Sequence, residues 1–233
     1  MIISSFNSYT IEGVYEVIIR KQEEKQKSRW SLSDWLFTKQ KIALMDQWLA
    51  LHSSTTWFEF FLEGSGGELD FGKTSEQAFK ANSERFQAGL YVKMLGLSGG
   101  VDHFSGNLKS SFFQANLIVF GTSAQSTNFQ LHYGKRNMKG QFGDFNQSFF
   151  GLSSTVYLLP FLGGLYEYRN YGDAASGDYR YEDGSRQEYG AFVDLWILRL
   201  RGTYFKERNF YSHPLTPRSE TVSGWWFGGQ VFF

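Results

Sequence analysis

The sequence predicts an all-β fold, an up-and-down antiparallel transmembrane β-barrel of about ten strands with an N-terminal amphipathic helix in front of it. Three observations carry this reading. From about Thr55 onward apolar residues recur with period two, the spacing of strands whose two faces meet different surroundings. Short turns and longer polar connections alternate between these runs, as in a barrel with one plain and one elaborated rim. The chain ends on Thr221-Val-Ser-Gly-Trp-Trp-Phe-Gly-Gly-Gln-Val-Phe-Phe233. A bare aromatic strand of this kind frays in water, but is satisfied if it closes a barrel inside a bilayer.

Composition agrees. The 233 residues include 24 Phe, 13 Tyr, 7 Trp and 25 Gly but only 3 Pro, which suits interfacial girdles, tight turns and close strand packing. An aromatic-rich soluble sandwich is the competing class. Net charge is zero, so no long-range field recruits nucleic acid or acidic partners. With no Cys, disulfides, thiol catalysis and Cys-based metal sites are excluded together. No run of eighteen apolar residues supplies a spanning helix. The start has neither a basic n-region nor an apolar h-region, so the barrel reading expects a mature form whose leader was removed.

Two parts are expected: an N-terminal periplasmic segment over 1–53 and the barrel over 54–233. The first holds a candidate strand at 11–19, a charged stretch at 20–27, and a helix that Ser31 can cap, with Asp34 three residues on. Leu32, Trp35, Leu36, Ile42, Met45, Trp48 and Leu49 recur along it at near-helical spacing. That face is too apolar to leave in water and is the candidate oligomer or lipid interface. Barrel strands are predicted at 57–63, 85–94, 97–104, 112–121, 127–135, 145–158, 162–171, 186–196 and 199–207, and the terminal strand makes ten. Short turns are expected at 95–96, 123–126, 159–161 and 197–198. Longer polar loops are expected at 64–84, 136–144, 172–185 and 208–220.

Phe86, Leu90, Val92, Leu117, Val119, Leu131, Val193 and Leu195 form the apolar set that should face lipid. Gln87, Gln114, Gln130, Glu188 and Asp194 share the opposite parity and should face the lumen, with Trp57, Phe61, Tyr91, Tyr157, Trp196 and Trp226. The charged members Lys93, Glu167, Arg169, Glu188, Asp194, Arg199, Arg201 and Glu207 alternate in sign from strand to strand. In a narrow barrel they read as a salt-bridged filling rather than an acid–base site. Four His are present. Of these His132 falls on the lumen face, where a hydrolase could pair it with a nearby Ser, but a structural His among amides is the plainer reading. Gly64-Ser-Gly-Gly67 lacks a Lys-Ser/Thr partner and reads as a loop rather than a phosphate cradle. No metal-ligand spacing occurs, and no cofactor or enzymatic activity is expected.

The terminal strand, with Trp225, Phe227, Val231 and Phe233 in one row, resembles the closing strand of bacterial outer-membrane β-barrels, which their assembly machinery reads. The resemblance implies residence in the bacterial outer membrane. The segment Arg29-Trp-Ser-Leu-Ser-Asp-Trp-Leu36, continued by Leu44-Met-Asp-Gln-Trp-Leu-Ala-Leu51, is similar to helical stretches before small barrels of predatory deltaproteobacteria. Among these, the PopA-like outer-membrane proteins assemble into rings that enclose lipid. This implies a structural barrel that self-associates into a homo-oligomer and organises membrane lipid. A lipid-modifying barrel enzyme and a narrow small-solute pore are the alternatives.

Overall fold

A computed structural model describes residue 31 and residues 58–73, 76–104, 108–140, 143–177, 179–212 and 218–233. The candidate strand at 11–19, the apolar helix face from Leu32 to Leu49 and Trp57 lie outside the described residues. Ser31 is described, and it makes a parallel bridge with Tyr157.

The strands are β1 (Phe58–Lys73), β2 (Glu76–Val92), β3 (Leu95–Phe104), β4 (Leu108–Phe120), β5 (Asn128–Gly140), β6 (Gly143–Leu159), β7 (Leu162–Tyr171), β8 (Ala174–Ser176), β9 (Tyr179–Leu195), β10 (Leu198–Ser212) and β11 (Arg218–Phe232). All named pairings are antiparallel. The short β8 pairs only with the start of β9. The other ten form a closed wall, because β9 pairs with β10 and β11 lies between β10 and β1. The ten-strand antiparallel barrel expected from the sequence is therefore present.

Register fixes its shape. Stepping from Phe61 to its partner on each strand in turn leads round the wall to Lys73, so the circuit from position 61 closes at position 73 of β1. That is a stagger of twelve residues. At about 3.3 Å per residue, against ten strands about 4.8 Å apart, it tilts the strands by roughly 40° and makes the wall roughly 20 Å across.

Polarity is inverted relative to a water-soluble barrel. Phe86, Leu90, Val92, Leu117, Val119 and Leu195 are exposed on the outside, and Leu131 and Val193 are half-buried there. Gln114, Gln130, Glu188 and Asp194 are buried inside. The uncharged exterior has a sharp limit. On β2 it runs from Val92 through Leu90 and Ala88 to Phe86 before Glu84; on β10 it runs from Leu198 through Leu200 and Gly202 to Tyr204 before Lys206. On β11 Phe233, Val231, Gly229, Phe227 and Trp225 precede Ser223. Seven to nine tilted residues make a belt roughly 20 Å tall.

The strands continue well beyond this belt, which corrects several sequence expectations. Residues 64–73 and 76–84 are strand rather than loop, as are most of 136–144, of 179–185 and of 208–220. Their outward residues are polar while their inward ones still pack, so the polar count resembled that of a loop. Gly64-Ser-Gly-Gly67 lies within β1. A Cβ on Gly67 would sit 1.8 Å from the Trp225 carbonyl oxygen; the glycine is there because the β11 backbone comes too close for any side chain. The turns fall at Lys93-Met94 and Trp196-Ile197, slightly before the expected positions. Lys93 and Trp196 take positive φ of 54° and 63°. Both side chains are exposed in the turns, not in the lumen.

Gly67→Val should thus split the β1–β11 seam. We expect a loss of about 2 kcal/mol or more in an equilibrium denaturant titration. An unchanged midpoint would show that the two backbones have room to separate.

Candidate functional site: the charged lumen

Inward positions near the far rim carry two apolar clusters. One contains Leu69, Phe71, Phe104, Phe205, Val222 and Trp226; the other contains Phe112, Met138, Phe145, Phe149, Tyr171, Tyr181 and Tyr211. A third cluster, Phe61, Tyr91, Ile118 and Phe232, lies towards the short-turn rim. There the 121–127 turn folds inward. Gly121 at φ 105° permits the bend, Ala124 packs on the third cluster, and its N–H donates to Glu59 Oε2 at 2.8 Å. Asn128 Nδ2 donates to the carbonyls of Ser123, Ala124 and Ser126 at 2.9–3.3 Å, holding the turn in shape.

A network of arginines and carboxylates crosses the lumen. Arg85 on β2 donates from Nε to Asp102 at 2.9 Å and from Nη1 to Glu188 at 2.6 Å. Arg186 on β9 reaches Asp102 on β3, across the barrel, at 2.9 Å. It also lies 3.9 Å from Glu207, which pairs with Arg136 at 2.8 Å. Arg201 donates to Glu63 at 2.8 Å. Near the short-turn rim Arg199 donates to Asp194 at 2.7 Å and to the Tyr157 hydroxyl at 2.6 Å, and Tyr157 in turn donates to Asp194. Arg169 pairs with Glu167.

Aromatic faces complete the solvation of these cations. Arg85 lies 4.4 Å from the Trp226 ring centre, Arg136 4.4 Å from Tyr171, Arg169 4.3 Å from Phe112, Arg186 4.5 Å from Phe205 and Arg199 4.2 Å from Phe192. Burial removes water from both ions of each pair, and the combination of carboxylate, hydrogen bond and ring replaces it. Chemically the arrangement is a neutralised brace between opposite walls.

Below the brace a cavity of about 110 Å³ remains, lined among others by Glu63, Gln114, Gln130, His132, Ser153, Arg169 and Arg201. Its polar wall is a hydrogen-bonded ladder across five strands, β2 to β6. Asn116 Nδ2 donates to Ser98 Oγ at 2.9 Å, and Tyr91 Oη donates to Gln130 Oε1 at 2.8 Å. His132 Nδ1 lies 2.7 Å from Asn116 Oδ1, and its Nε2 lies 2.8 Å from Ser153 Oγ.

The inward charges Glu167, Arg169, Glu188, Asp194, Arg199, Arg201 and Glu207 meet in the lumen as their parity required. Arg85, Asp102, Arg136 and Arg186 complete the network but were not among the lumen charges singled out from the sequence. Arg85, Asp102 and Arg186 lie within predicted strands, where inward parity was the available signal; Arg136 alone fell in a stretch read as a loop. Among the residues singled out for the terminal strand, Trp225, Phe227 and Phe233 are exposed on the outer face and Val231 is half-buried there.

The chain matches no protein-family model and no curated protein. Among solved structures it is similar to Ail, the attachment invasion locus protein of Yersinia pestis, solved in complex with the heparin analogue sucrose octasulfate. Identity is 11%, the TM-score is 0.32, and the match covers 76% of this chain and 100% of Ail. It is similar to Neisserial surface protein A at 14% identity and TM-score 0.29, covering 74% of this chain and 96% of that one. The outer membrane protein OprG from Pseudomonas aeruginosa matches at 12% identity and TM-score 0.24, over 75% of this chain and 95% of OprG. These likenesses are distant and say nothing of what this chain binds or does.

Arg85 is the node with the most to lose. Arg85→Ala leaves Asp102 and Glu188 short of a buried counter-charge and should cost roughly 3–5 kcal/mol in denaturant titration. Arg180→Ala, which breaks only an exposed pair with Asp173, should leave the midpoint in place.

Proposed function

We propose that this chain is a bacterial outer-membrane barrel with a structural role, which self-associates into a homo-oligomer through its N-terminal segment and organises or encloses membrane lipid. The observation that carries the membrane reading is the uncharged belt around a charged interior. Exposed Phe, Leu and Val side chains in a continuous band are stable against hydrocarbon and costly against water. A closed sheet pairs its backbone polar groups within the wall, as hydrocarbon demands. Among the described residues no helix is long and apolar enough to cross a membrane; the strands do the crossing. The short-turn rim, where both ends of the barrel segment lie, faces the periplasm, and the extended collar faces outward. The terminal strand is the feature that the outer-membrane assembly machinery acts on during biogenesis.

The salt-bridged brace argues for a structural barrel over a solute pore, since ions spanning the lumen leave no continuous water path. Self-association is supported by the apolar face of Leu32, Trp35, Leu36, Ile42, Met45, Trp48 and Leu49. Each such side chain is worth roughly 1.5–3 kcal/mol when fully buried, enough in sum to compete with the entropy cost of association. A heterologous contact closes into a ring where the rotation permits, with lipid inside.

Two measurements test this. Leu90→Arg should destabilise the barrel in lipid vesicles by about 2–4 kcal/mol; an unchanged stability would remove the belt from the bilayer. The detergent-extracted protein should have an oligomeric mass that falls to that of a monomer in Trp35→Glu plus Trp48→Glu. A monomeric starting protein would sink the assembly and its lipid-enclosing role.

A further inference from the structure

The polar ladder beside the lumen cavity has the three parts of an activated nucleophile. Asn116 donates through Nδ2 to Ser98, so its Oδ1 faces His132 as an acceptor. His132 must then carry its proton on Nδ1, which leaves Nε2 as the acceptor for the Ser153 hydroxyl at 2.8 Å. A hydroxyl bonded to an imidazole whose other nitrogen is held by a third group is the geometry of nucleophile, base and orienting residue. Three strands supply it, Asn116 from β4, His132 from β5 and Ser153 from β6. His132 is buried but Ser153 is only half-buried, and both line the cavity of about 110 Å³. Arg201 lines it too, with a buried Nε that has no hydrogen-bond partner.

We propose that Ser153, His132 and Asn116 form an acyl-transfer site in the barrel lumen that takes the acyl group of a small ester. As Ser153 Oγ bonds to the acyl carbon, its proton passes to His132 Nε2. The tetrahedral oxyanion collapses, the carbon–oxygen bond to the leaving group breaks, and that alkoxide takes the proton and departs as an alcohol. Water then attacks the acyl-serine by the same route, and a carboxylic acid is released. Arg201 Nε, on the same cavity wall, supplies a cationic N–H for the oxyanion.

Methanesulfonyl fluoride, small enough for the cavity, is the probe. Full-length protein in detergent micelles should acquire one methanesulfonyl adduct, mapped by mass spectrometry to Ser153. His132→Gln should slow its formation by roughly 100-fold or more. Asn116→Ala, which keeps the base but frees its ring, should slow it less. Gel mobility before and after heating shows whether each variant has closed its barrel. Unmodified Ser153 in the wild-type protein overturns the proposal, with no variant needed. Labelling of a folded His132→Gln at the wild-type rate also overturns it, since the hydroxyl would then react without its base.

Discussion

Closure of the sheet governs everything else in this molecule. Pairing of β9 with β10 and of β11 with β1 leaves none of the ten wall strands with a free edge, and the twelve-residue stagger sets the tilt and hence the diameter. A wall roughly 20 Å across is narrow enough to be filled largely by long side chains projecting from both sides. Arginine is long enough to reach a carboxylate from the other wall, and it does: Arg186 and Asp102 join strands on opposite sides.

The brace follows from that geometry together with the inverted polarity. The ions of the brace are buried, so an isolated one there would be very costly. Each of the five buried arginines has both a carboxylate and an aromatic face. Arginine suits the task better than lysine because its planar fork can donate in plane while its faces stack. The pairs that fill the lumen thus also tie the wall together. The apolar clusters add a second closure beyond the belt, where the strands rise as a collar.

The cavity is where this filling stops. Along one wall the side chains shorten to Ser98, Ser153, Thr155 and Gln114, and amides, hydroxyls and one imidazole stand opposite the charges of Glu63, Arg169 and Arg201. A site for chemistry needs such a gap, with polar groups held in place by neighbours that cannot move. The cross-strand ladder from Ser98 to Ser153 meets that requirement, since its members are fixed by the register of β3, β4, β5 and β6.

Period two along the chain was enough to count the wall strands and to sort their side chains into two sets, because side-chain alternation is a local property of extended backbone; which set faces out was read from the terminal strand, the alternation of short turns with long loops and the aromatic load. Val92, Leu90 and Phe86 on one side of β2, and Tyr91 and Arg85 on the other, were legible in this way. Strand ends were not. Residues 64–73 and 179–185 have polar outward positions, and local composition cannot separate a strand standing in water from a loop. Trp196 was misassigned because a turn two residues long breaks parity without a compositional mark. The partners of Arg85, Arg186 and His132 were decided by tertiary structure alone. Glu188 is 103 positions from Arg85 and Ser153 is 21 from His132, and their meeting depends on stagger, which is a property of the closed sheet and is written in no single strand.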